Sequence, residues 1–191
     1  MSTVKSKNLQ VGTDATASNN FTIYQPSTPD GTLRIGVGNA DSPTEVGQFN
    51  ANGYKPAAAP MISVFQSSAQ TVSASTWTKV EFQSKTIDTT NAFDTSTYQF
   101  QPNVAGYYQI NYGLKTSTSQ GRMLLNVYRN TGGVKTPVDM NSATYGLCMS
   151  ALIYLNGTTD YLTGYVYMST GGPIIASSQY CYFDAYLIQQ E

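Results

Sequence analysis

A chain of 191 residues, 40% hydrophobic and only 11% charged, has room for one fair-sized domain and an appendage, with polar but uncharged outer faces. Its formal net charge of −1, with Lys and Arg scattered, offers no basic stripe for a phosphate backbone and argues against nucleic acid as a ligand. The absence of His removes Ser-His-Asp, Cys-His and His-containing zinc sites together.

The opening MSTVKSKNLQ has no apolar stretch of the signal-peptide kind, and no run approaches membrane-spanning length, so synthesis in the cytoplasm is expected. Residues 1–55 are rich in Asn, Gly, Thr and Asp and hold short apolar runs at FTIY (21–24), LRIG (33–36) and VGQF (46–49). These predict three short strands with long turns, too thin a core to stand alone, so Phe21, Ile23, Leu33, Ile35, Val46 and Phe49 are the candidate anchoring side chains of an arm that orders against a partner. GVGNA at 36–40 reads as a turn, because no phosphate-loop Lys-Ser/Thr follows and no helical pattern starts there. YKPAAAP (54–60) sets two prolines around alanines and reads as a spacer. The expected division is an arm over 1–55, a linker over 56–60 and a main domain over 61–191.

From Met61 the pattern is β throughout, with MISVF, WTKVEF, TYQF, YYQINYGL, RMLLNVYRN, ALIYL, YLTGYVYM and YCYFDAYLI as strand candidates. NTGG (130–133), NGTTD (156–160) and TGGP (170–173) separate them as turns. Such strands without a convincing helix indicate an antiparallel sandwich or jelly roll. In TYQFQPNVAGYYQINY (97–112), Tyr98, Phe100, Tyr108, Ile110 and Tyr112 share one parity around a Pro–Gly connection, which predicts a hairpin with its aromatic face in the core. Trp77, in its WTKV setting, is also expected in the core.

Cys148 and Cys181 lie too far apart for a CxxC motif and read as buried free thiols, with one disulfide as the alternative. Asp88, Asp94, Asp139, Asp160 and Asp184 are isolated from one another, so a glycosidase pair would need separate loops to converge. NFT at 20–22 and NGT at 156–158 match glycosylation acceptors but are read as coincidental without a secretory signal.

The segment FQSKTIDTTNAFDTSTYQFQPNVAGYYQINY resembles the central signature of C1q-like domains. Phe82, Asp88, Phe93, Phe100, Gly106, Tyr108 and Tyr112 stand where that pattern asks for them, and Ile110 stands where Phe is usual. The stretches around Trp77, Tyr161 and Phe183 look like further family segments, so that the resemblance spans roughly residues 60–191. It implies an all-β, ten-stranded jelly roll that assembles as a homotrimer, with no enzyme activity; no cofactor or metal site is expected from the residues. Members act as knobs that bind proteins or surfaces.

TLRIGVGNADSPTEVGQFNANGYKP looks instead like the short β-modules near the N-termini of bacteriophage fibre and virion-surface proteins. Together the two likenesses imply a virion-surface homotrimer made in the host cytoplasm. The arm would hold phage capsid or tail proteins, and the knob would meet a host-surface protein or glycan. An arm this short suits capsid decoration, cement or a head knob before a short tail fibre. A free lectin-like module and a polysaccharide-degrading enzyme are the alternatives from other classes.

Overall fold

The computed structural model describes residues 7–56, 59–135 and 138–191 of the chain, which divides into two compact units, residues 1–58 and 59–191. Among the described residues there is no α-helix, only a single 3-10 turn at Ala17–Asn19.

The first unit is a five-stranded antiparallel meander of β1 (Asn8–Val11), β2 (Phe21–Tyr24), β3 (Leu33–Val37), β4 (Thr44–Asn50) and β5 (Gly53–Pro56). Three of these strands match the apolar runs of the sequence; β1 and β5 add to them, although NLQV is half polar and GYKP reads as turn and spacer. Pro56 sits at the end of edge strand β5, the position in a sheet that tolerates a residue with no N–H to donate. Of the residues expected to form the linker, Ala57 and Ala58 lie outside the described residues. Ala59 and Pro60 are tied to the second unit by Thr89 Oγ1 donating to the Ala59 carbonyl at 2.8 Å and the Leu187 amide donating to the Pro60 carbonyl at 3.1 Å.

The second unit runs through β6 (Met61–Gln66), β7 (Gln70–Val72), β8 (Thr78–Lys79), β9 (Ser84–Asp88), β10 (Phe93–Asp94), β11 (Gln99–Phe100) and β12 (Ala105–Gln120). It continues with β13 (Met123–Arg129), β14 (Gly132–Lys135), β15 (Asp139–Met140), β16 (Thr144–Asn156), β17 (Leu162–Met168), β18 (Gly172–Ile174) and β19 (Ser177–Gln190). One sheet has the order β9-β6-β19-β12-β16, extended at one end by β18 and β7. The other has the order β10-β11-β17-β13-β14, with β8 added to β17 and β15 to β13. This is an all-β jelly roll.

The core fills the space between the sheets with rings. Phe82, Tyr112 and Phe183 meet at centroid distances of 5.8–6.0 Å, and Phe100 meets Tyr108 edge-on at 5.5 Å. Phe100, Tyr108, Ile110 and Tyr112 are all buried, and Tyr98 packs partly buried against them. They do not come from a hairpin, however: β11 pairs with β10 and β17, whereas β12 pairs with β16 and β19 in the opposite sheet. In a sandwich both sheets aim inward, so one shared parity serves a crossing between sheets as well as a hairpin, and only the pairing partners tell them apart.

Removing the ring at Phe100 or Tyr108 leaves a void that neighbouring rings cannot close. Phe100→Ala and Tyr108→Ala should each lower unfolding free energy by about 3–5 kcal/mol in urea titrations. Tyr108→Phe, which deletes only the 2.7 Å hydrogen bond from the hydroxyl to the Val104 carbonyl, should cost about 1 kcal/mol.

Candidate interaction surfaces

The family-signature positions resolve into structural tasks. Asp88 closes the loop into β10: its carboxylate accepts hydrogen bonds from the Ala92 and Phe93 amides at 2.8 and 3.2 Å and from Lys85 Nζ at 2.8 Å. Burial pushes this carboxyl up, but Lys85 and the two amides outweigh it and hold the group below its usual range. Gly106 is required by close approach, since a Cβ there would lie 2.2 Å from the Gln189 carbonyl oxygen on β19. Phe93, Ile110 and Phe183 are buried. Tyr161 is half-buried at the start of β17, its amide held by Asn130 Oδ1 at 3.1 Å.

Trp77 departs from its expected place. It is half-buried on the outward side of the second sheet, in contact with Tyr167 at 5.8 Å and Tyr128 at 6.4 Å. Tyr128 in turn stacks on Tyr165 at 4.0 Å with 22° between planes. The signal was present in the sequence: Val80 and Phe82 turn inward, so Trp77, on the other parity, turns outward. The same alternation sends Leu162, Gly164, Val166 and Met168 inward and Tyr165 and Tyr167 outward.

The cysteines also separate by parity. Cys181, with Phe183 and Ala185, faces the core and is buried, its thiol pushed up by desolvation; Cys148, opposite in parity to the buried Met149 and Ala151, is exposed. Both are free thiols, so the expectation of two buried thiols holds for one only. The aspartates remain apart: Asp139 pairs with Arg122 at 2.6 Å, Asp160 accepts from Asn130 and Asn156, and Asp94 accepts from Ser96. Asn20, in the first acceptor triplet, is fully buried with its amide donating to the Asp14 carbonyl and to Asn39 Oδ1.

The outward side of the first sheet is a second open surface. Across its strands Met61, Tyr186, Gln109 and Leu152 form one row, and Ser63, Asp184, Asn111 and Ser150 the next. Leu152 is 47% exposed, Tyr107 44%, Tyr186 40% and Ile188 55%. At one end a groove of about 340 Å³ runs over Gly113 between Tyr145, Tyr180 and Tyr182, with Lys115 Nζ 4.4 Å above the Tyr180 ring. Apolar side chains this exposed, around small polar ones, make a surface fitted to a partner rather than to water.

In the N-terminal unit, register puts Leu9 beside Ile23 and Ile35, Val11 beside Phe21 and Val37, and Leu33 beside Phe49, all on one face. Leu9, Val11, Phe21 and Leu33 are each about half exposed, Val46 and Phe49 are exposed, and Ile23 and Ile35 are partly buried. Among the described residues, those fully buried in this unit are polar or glycine, Thr22 among them, which donates to the Gly38 carbonyl at 2.9 Å.

No family model matches this chain, and no curated protein does. Solved structures do. The globular domain of zebrafish complement 1qA protein is 21% identical, with a TM-score of 0.52 over 69% of this chain and 99% of its own. The Eiger TNF from S. frugiperda is 9% identical, with a TM-score of 0.53 over 70% of this chain and 95% of its own. The PRD1 vertex protein P5 is 16% identical over 69% of this chain and 99% of its own, but its TM-score of 0.49 gives it no weight. At these identities the likeness is one of fold: the chain has the jelly roll of C1q and TNF domains.

The Asp88 loop gives a test in pH. Because the folded protein holds this carboxyl below its unfolded pKa, the loop is stabilised above that value, and the gain is lost as pH falls toward the lowered pKa. Asp88→Ala should therefore lower stability by about 1–3 kcal/mol at pH 7, where two amides lose their acceptor, and by less at pH 3. Urea midpoints at the two pH values check it.

Proposed function

We propose that this chain is a non-enzymatic structural protein of a bacteriophage virion, a homotrimer whose residues 59–191 form an exposed knob and whose residues 1–58 attach it to the particle. The observation that carries this reading is the open outward face of the β9-β6-β19-β12-β16 sheet. Tyr107, Leu152, Tyr186 and Ile188 are 40–55% exposed there, and three-fold packing of C1q-like knobs would bury them. With so little charge in the chain, this association is apolar and weakly screened by salt.

The N-terminal sheet supports the attachment half. Leu9, Val11, Phe21 and Leu33 present an apolar face that a capsid or tail protein could cover, and edge strands β1 and β5 could extend an existing sheet. Capsid decoration, cement or a head knob is the position proposed first, a short tail fibre the second. The aromatic patch around Trp77 favours a second role within the same reading, adhesion of the exposed knob to a host-surface molecule.

Sedimentation equilibrium at micromolar concentration should give a particle of about 62 kDa, three times 20.7 kDa, little changed by salt. Leu152→Arg combined with Tyr186→Arg should give monomers of unchanged circular dichroism. A wild-type monomer overturns the trimer. A chain shortened to residues 59–191 should fail to decorate particles that lack the protein; if it decorates them as well as the full chain does, attachment by the N-terminal unit is wrong.

A further inference from the structure

The second sheet turns one side to the core and the other to solvent, away from the face assigned to self-association. On that outer side four rings form a continuous strip. Tyr128 and Tyr165 stack at 4.0 Å, and Trp77 bridges from Tyr128 at 6.4 Å to Tyr167 at 5.8 Å. We propose that this strip is a binding site for a neutral saccharide, which deepens the adhesive role above and rests on that reading only for the number of copies displayed.

The rings are half-buried and hold one another, so they lose little freedom when a ligand arrives, and each joins an apolar body to a polar tip. Among the described residues the indole N–H of Trp77 and the hydroxyls of Tyr128, Tyr165 and Tyr167 have no protein hydrogen-bond partner. Opposite Tyr165 in register, Asn126 carries a buried side-chain oxygen with no partner, its amide lying against Gly133 of β14. A sugar ring offers the matching chemistry: an apolar C–H face for the rings and a rim of hydroxyls for the tips.

Charge decides against other planar ligands. Lys79, opposite Tyr165 in register, donates to the Thr97 carbonyl at 3.1 Å and lies 5.7 Å from the Tyr98 centroid, and Arg122 is committed to Asp139 at 2.6 Å. A nucleic acid base would stack on such rings, but among the described side chains its phosphates would find no free cation beside them. A protein partner would cover the strip together with its flanks, and that alternative is one outcome of the test.

Trp77 is the only tryptophan in the chain, so its emission reports the strip directly. The full-length protein is titrated with cellohexaose, maltohexaose and chitotetraose, and is also overlaid on an array of neutral bacterial surface glycans. At least one neutral saccharide should shift or quench Trp77 emission, with half-saturation at about 1 mM for a single shallow site. Calorimetry should then show roughly tenfold or greater weakening in Trp77→Ala and in Tyr167→Ala, with circular dichroism and sedimentation unchanged.

The proposal is overturned if no neutral saccharide binds, if binding survives both substitutions, or if only a protein binds the strip. A wild-type monomer that binds saccharide would sink the trimeric reading and leave this one standing. A trimer that decorates particles and binds none would sink this one alone.

Discussion

Strand β12 is hydrogen-bonded to β16 along one edge and to β19 along the other, so its side chains have only two directions open to them. Tyr108, Ile110, Tyr112 and Leu114 go inward, and Tyr107, Gln109, Asn111 and Gly113 go outward. A slip of one residue would exchange the sets, burying Gln109 and Asn111 among rings and putting two large aromatics in water. The same alternation that closes the core therefore determines the open face. Gly113 extends the point, since a Cβ there would meet the Tyr182 ring at 2.7 Å, and without one the tyrosine lies flat along the groove floor.

The charges of this chain serve local geometry. Lys85 and Asp88 fix the loop before β10, Arg122 and Asp139 join β15 to the turn into β13, and Arg34 holds Asp30 and Glu45 together across the N-terminal sheet. Each pair shapes a connection between strands and leaves the broad sheet faces nearly neutral. Recognition on those faces then depends on rings, amides and hydroxyls, whose interactions are short-ranged and demand close fit.

What could be read from the sequence followed the period of two. The inward side chains of β12, β17 and β19, Cys181 among them, obey it, and so do the outward Tyr165 and Tyr167 and, against the expectation of burial, Trp77 and Cys148. Aromatic character misled at Trp77 because a large ring is often buried, whereas parity with Val80 and Phe82 pointed the other way. Partners were not legible: nothing local distinguishes a hairpin at 97–112 from a crossing between sheets. Strands β1 and β5 were hidden because NLQV and GYKP acquire strand character from the neighbours they pair with.

The pairing of β12 also bears on how the chain comes into being. One neighbour, β16, begins at residue 144, and the other, β19, spans Ser177–Gln190, so the middle strand of the sheet is translated long before its second edge has a mate. At usual elongation rates the interval between the end of β12 and the end of β19 lasts roughly 4–14 s. Throughout it, a sixteen-residue strand bearing three tyrosines has at least one unsatisfied side. Nascent chains on one message are thus most vulnerable to pairing with each other in the last third of synthesis, when this edge is available and its own closing strand is still within the ribosome.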